Sequence, residues 1–572
     1  MDVRHRGARL VRWALLAVLG SVVVAVPAAG VPKERPVLTS EFAAHLSQAV
    51  SLRYWAANPE VAPAEAKQLG AVAQASKRKH PRGRKFGGRR EERERFNADA
   101  LGLPQNEESI TACRSNTRIV LGGTNDYRGL VDPLENFTGW HLSLDGGRSL
   151  ANEGLLPAVR LLTKPAQQVP SGGDPVTVAE DDCDLYAGSL AFDPEDPFFR
   201  PNGVAVYKTR PETLASCPGG GSNPSCWPTR RLVAEGRPGA GGTFHFLDKE
   251  WIYVGRSGGQ VVVWIVYSNF LSDPHAPLGF SSAEIEAVRC DENLTSCTRP
   301  IKISDDPVNG PDRDVQFGDV TIDENGRVYI TWSQIVGELE QEPQTFVYKL
   351  RVADAGSTTF GPERVVHVED NAIPFGGHLQ ANDFRVATVP KNEVAMVGGR
   401  ARVFLVWDAC RVRPLPDVCE EPLIKLKYSD DDGVTWSPVL ELSRGGVNYF
   451  PTISTDRHGR DSIVVAWYTN MFDPAFHNEQ DVVLTSLDAA RLREKRLKRL
   501  TAPSNESEAD PLLGGLFIGD YIEVFAHRNR AWVHYNANYR QTPMLLGQLL
   551  GLGPAGVPVN QQDNYLARTG AH

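Results

Sequence analysis

Beyond residue 26, the 572-residue chain has no apolar run approaching the roughly 20 residues a membrane-spanning helix needs. Positive charge is also scarce past residue 100, where 43 Lys and Arg face 61 Asp and Glu, a balance of −18. That deficit argues against a nucleic-acid partner, because phosphate binding needs clustered cations on the folded surface. No two cysteines have CxxC spacing and no histidine cluster accompanies them, so a zinc-type site has no ligand set. Ser-His-Asp and phosphate-loop patterns are missing too, which leaves acidic and aromatic residues as the chemistry to examine.

Glycine and proline are plentiful instead, at 52 and 40, and with 41% hydrophobic residues they predict a large core built from many turns rather than long helices. The N-terminus reads as a secretory signal over residues 1–30, with Arg4, Arg6, Arg9 and Arg12 ahead of the apolar run from Ala14 to Val26. Residues 31–103 read as an extension. Its amphipathic part, such as Glu41 to Tyr54, is expected to be helical, and ten basic residues follow between Lys77 and Phe96 as an exposed or removable linker. The expectation is an exported, extracytoplasmic and monomeric protein. Eight cysteines suit that compartment. Cys217 with Cys226, Cys290 with Cys297, and Cys410 with Cys419 each close a short loop, which leaves Cys113 to pair with Cys183.

From residue 104 to 550 the pattern is all-β and repetitive, followed by an expected C-terminal tail over residues 551–572. The unit is a short strand, a turn rich in Asp, Asn and Gly, and an apolar strand ending on an aromatic such as Trp332 or Trp467. Its starts fall at Ser109, Ser189, Glu250, Asp319, Asp383, Thr452 and Asp520, between 61 and 80 residues apart. That spacing fits four-stranded blades, and the fold expected is a β-propeller of seven blades, with six as the alternative.

The most specific motif is a turn of the form Ser-x-Asp-x-Gly-x-Ser/Thr. It occurs as Ser429, Asp431, Gly433, Thr435 and Trp436, and again as Ser143, Asp145, Gly147 and Ser149, with a degenerate copy at Asp354 to Thr358. Glycine permits the turn's backbone while the Asp and Ser/Thr side chains bond the loop's own amides. This signature resembles the Asp box of the bacterial neuraminidase repeat, found across the sialidase-like propeller superfamily. The resemblance implies a propeller, structural turns between outer strands, and a glycan-directed activity of the exo-sialidase type. The family's Phe/Tyr-Arg-Ile-Pro motif does not occur here, so none of its catalytic residues is carried onto this chain.

Innermost strands of a propeller line its axis, so polar residues at the blade starts are candidates for a site. Asp248, Glu250, Asp319, Asp383 and Asp520 are the candidate catalytic carboxylates, with Lys249, Trp251, Arg385, Tyr521 and Glu523 as binding groups. Facing acids can serve glycoside hydrolysis. They can equally hold a carbohydrate or cell-surface glycoconjugate without turnover, or bond backbone amides within each blade with no ligand at all. No cofactor is required by any of these readings. Clustered carboxylates also allow a Ca²⁺ ion through oxygen ligands.

Overall fold

Alternating apolar residues bounded by Asp, Asn and Gly turns form antiparallel strands, and in the computed structural model these assemble into seven sheets arranged as propeller blades. The structure describes Phe42, Leu46, residues 48–57 and most of residues 95–571; loops outside the description include 306–313, 337–343, 411–417 and 544–557. The expected signal segment and most of the basic linker lie outside the described residues.

Strand order within each blade follows the chain, with the first strand innermost. The seven innermost strands are β1 (Gln105–Ala112), β2 (Ser171–Ala179), β3 (Phe244–Ser257), β4 (Asp314–Ile322), β5 (Lys391–Val397), β6 (Asn448–Asp456) and β7 (Glu523–His527). They neighbour one another in that order, and β7 returns beside β1. Two-residue turns sharpen several inner hairpins. Gly258 and Gly259, at φ 62° and 78°, link β3 to its partner in the left-handed conformation that matches strand twist.

Side chains reach between blades to the next innermost strand. Ala179 donates its amide to Thr111 Oγ1 at 3.1 Å, Asn392 to Asp319 Oδ2 at 2.6 Å, and Val524 to Thr452 Oγ1 at 3.3 Å. The ring closes where the amide of Ile110 donates to Glu523 Oε2 at 2.7 Å. A second latch joins the segment ahead of the first blade to the third strand of the last: the amide of Phe96 donates to Asn564 O, and Arg95 pairs with Asp563 at 2.7 Å.

The Ser-x-Asp turns form as hydrogen-bonded units joining third to fourth strands. Asp431 Oδ1 accepts from the Thr435 amide and from Ser429 Oγ, both at 2.8 Å, and Trp436 Nε1 donates to Gly433 O. Asp145 repeats the arrangement with Ser149 and Ser143. Gly433 sits at φ 83°, the left-handed conformation that favours glycine, and a Cβ there would lie 2.2 Å from Leu350 Cδ2 and force that side chain to move. Asp291 with Thr295 makes the same bonds in the third blade without the full motif.

Several sequence expectations are corrected. Ser189 lies on the second strand of its blade, Leu185–Phe192, and the innermost strand of that blade is β2. Asp383 lies on Asn382–Val386, part of a small three-stranded sheet outside the seven blades. Residues 563–570, expected within a tail, are the third strand of the last blade. Part of the extension belongs to the folded body, since the helix α1 (Gln48–Ala57) and Phe42 pack into the core. Cys113–Cys183, Cys217–Cys226 and Cys290–Cys297 are bonded as expected. Cys410 is also disulfide-bonded, while the side chain of Cys419 is outside the described residues.

Asp456 tests the clasps, because its carboxylate accepts both the Arg528 and Asn529 amides at 2.7 Å. Asp456→Ala is expected to cost about 1–2 kcal/mol in urea unfolding, the scale of hydrogen bonds lost at a partly buried turn.

Candidate functional site

The innermost strands share a distortion that decides what faces the axis. In five of them the register with the second strand slips, and one non-glycine residue takes a positive φ between 51° and 58°: Glu107, Asp174, Lys249, Phe317 and Phe450. Such a bulge inserts an extra residue and re-aims the side chains beside it. Gly519, at φ 107°, precedes Asp520 at the matching place in the last blade. The ring of bulges separates two groups of charged residues.

At and before the bulges the axis is sealed. Lys249 Nζ lies 3.7 Å from Asp520 Oδ2, and Arg385 donates to the same oxygen at 2.5 Å. Asn125 donates to Glu107 Oε2 at 2.5 Å and its side-chain oxygen accepts the Asp174 amide at 2.8 Å. Asp248 and Glu250 are fully buried in the same region. Burial, followed by the negative charges of Asp174 and Asp520, pushes the Glu107 carboxyl well above its ordinary range. Burial and then Asp174 do the same to Glu250. Burial, with Arg385 next, lowers Lys249, opposed by Asp520. The cavity left among Asp174, Lys249, Glu250, Asp520 and Tyr521 is about 30 Å³, room for water and no larger ligand.

The N-terminal segment closes this end. Leu46 O accepts from Arg385, Arg53 donates to Ser171 O and Glu135 O, and the Arg53 guanidinium lies over the rings of Phe137 and Phe192. Phe42 packs against Phe270 and Phe280.

Beyond the bulges the axis opens into a channel of about 400 Å³, which reaches solvent between the exposed residues Asp181, Arg256 and Glu324. Asp319, Lys391 and Glu523 lie on its wall together with Trp251, Tyr253 and Glu393. Lys391 Nζ sits 2.9 Å from the centroid of the Trp251 ring, whose edge meets Tyr521. Tyr521 itself donates to Pro175 O at 3.1 Å, so it braces the bulge ring. Burial pushes Asp319 up to about 6, against the pull of Lys391, and pushes Glu523 up to about 8. Burial brings Lys391 down to about 8, with Asp319 and Glu523 opposing.

The residues singled out from the sequence therefore divide. Asp248, Lys249, Glu250, Arg385 and Asp520 share the sealed end; Trp251, Asp319 and Glu523 reach the channel; the Asp383 side chain lies outside the described residues. Glu107, Asp174 and Lys391 were not anticipated. A proline or glycine follows three of the five bulge residues, as Pro175, Gly318 and Pro451, and Pro390 precedes Lys391; that partial signal would have helped to align Asp174 and Lys391, while Glu107 has no such neighbour.

No protein-family model matches the chain, and no curated protein matches it. Solved structures with some likeness include a Hadza microbial sialidase (10% identity over 70% of this chain and 71% of that one, TM-score 0.38). An α-L-arabinofuranosidase from Fusarium graminearum (10% identity, 67% and 93% covered, TM-score 0.40) and the phage phi92 endosialidase (8% identity, 84% and 69% covered, TM-score 0.41) are others. Similarity at this level says nothing of what this chain binds or acts on.

The sealed ion pairs give a direct test. Asp520→Asn removes the carboxylate shared by Arg385 and Lys249 and is expected to destabilise the fold by about 3–5 kcal/mol in urea titration. The paired change Arg385→Met with Asp520→Leu is expected to cost less, since it leaves fewer buried charges short of a partner.

Proposed function

We propose that the protein is an exported, glycan-directed hydrolase that works in the open axial channel, with Glu523 as proton donor and Asp319 as general base. The observation that carries this reading is the split between the two carboxylates facing one channel. Near pH 7 Glu523, at about 8, keeps its proton while Asp319, at about 6, is largely ionised. A channel of about 400 Å³ suits a small sugar unit. Tyr253 and the part of Trp251 that Lys391 leaves uncovered supply apolar surface for a sugar ring, and Lys391 supplies a cation close enough to both acids to interact with them.

In the reaction proposed, Glu523 gives its proton to the leaving glycosidic oxygen as the carbon–oxygen bond breaks. Asp319 takes a proton from the water whose oxygen bonds to that carbon. Three disulfides support the exported setting, because such bonds persist in oxidising compartments. Among the described residues, no helix is long and apolar enough to cross a membrane.

A second reading, glycan binding without turnover, is favoured by the clasps. Glu523 and Asp319 each accept a backbone amide from the next blade, a task that needs no chemistry.

A panel of glycosides decides between the readings. Hydrolysis is expected with a bell-shaped pH profile of kcat/KM. It falls below about pH 6 as Asp319 takes up a proton, and above about pH 8 as Glu523 loses its own, with Lys391 titrating in the same range. Glu523→Gln and Asp319→Asn are each expected to lower kcat/KM by roughly 10²-fold or more. Binding on a glycan array with no turnover of any glycoside would establish the second reading instead.

A further inference from the structure

We infer that Glu180, Asp182 and Glu292 form a binding site for a divalent, oxygen-seeking cation such as Ca²⁺, at the rim of the channel between the second and third blades. Each of the three carboxylates places an oxygen within 4.8 Å of the others, the spacing of ligands around one ion. Among the described residues no three axial carboxylates come together in this way, so the axis is not where the acids converge most tightly.

Glu180 carries the inference beyond an acidic surface cluster. Its side chain is only 8% exposed, and its Oε2 is buried with no hydrogen-bond partner. Its other oxygen has Arg256 no closer than 4.0 Å, a separation too long for a hydrogen bond. A buried acceptor left unmet is costly unless an ion or water completes it.

The site is held from both sides. Glu180 immediately follows β2, and the turn carrying Asp182 is tied to the first blade by Cys113–Cys183. Glu292 follows the strand Phe280–Asp291 in a loop closed by Cys290–Cys297. Tyr186 bonds the Glu292 carbonyl at 3.0 Å and fixes the two loops relative to each other. Lys208 reaches Glu292 at 3.2 Å, but Asp184 is its closer partner at 2.7 Å, so Lys208 keeps a counter-ion when Glu292 turns to a metal. Asp182 is exposed, which gives an ion a route in from solvent. Three carboxylates leave several of the 6–8 coordination positions to water, and affinity in the range of extracellular Ca²⁺ modules, about 10⁻⁴–10⁻³ M, is expected.

The inference is independent of whether the channel hydrolyses glycans, and its test needs no substrate. Calorimetric titration of the full chain with CaCl₂ is expected to show one site. Thermal unfolding in 10 mM CaCl₂ is expected to rise by about 2–3 °C over NaCl of equal ionic strength. Glu180→Gln and Asp182→Asn are expected to abolish both responses while unfolding, without calcium, no lower than the native chain. No calorimetric binding, a thermal shift matched by NaCl, or unchanged binding in both variants would overturn it.

Discussion

The propeller depends on how each innermost strand meets the next. Neighbouring blades do not share a continuous ladder, so polar side chains bridge them: Thr111, Asp319, Thr452 and Glu523 each accept an amide from the following blade. These bonds meet backbone groups that face the axis, where an unpaired donor would be costly. The last of them joins Glu523 to Ile110 and turns an open row of blades into a ring, reinforced by Phe96 against Asn564.

The bulges are the second half of the same constraint. One extra residue at Glu107, Asp174, Lys249, Phe317 and Phe450 turns the strand so that charged groups before it collect in a sealed knot and those after it face a channel. Positive φ at non-glycine residues is unfavourable, yet it recurs in five blades at the place where the strand register slips. Environment then sets the chemistry. Lys249 is buried among Asp520, Arg385 and Phe317, whereas Lys391 faces the channel beside Asp319 and Glu523.

Local patterns were legible in the chain to the extent that their chemistry is local. Asp145 and Asp431 announced their turns because the bonds run to residues two to four positions away. The cysteine pairs followed from loop lengths and one remainder. The aromatics Trp332, Trp407 and Trp467 lie on second strands and are buried between blades, although each strand runs two or more residues beyond its tryptophan. Phase was harder to read. Polar residues marked Ser189 and Asp383 as blade starts, but the innermost strands there begin at Ser171 and Lys391: Ser189 lies on the next strand of its blade, and Asp383 on an intervening small sheet. Asp174 and Lys391 went unread because each lies on the innermost strand that was misplaced.

The sequence by itself determined an all-β chain of repeated hairpins, an acidic body, its hydrogen-bonded Asp turns and three of its disulfides, since each follows from short-range spacing and composition. Tertiary structure alone decided which carboxylates share a space. Arg385 reaches Asp520 across 135 residues from a sheet outside the blades, and Glu180 and Asp182 meet Glu292 from a different blade. Such meetings are set by ring closure and by the angle between blades, and no periodicity along the chain encodes them.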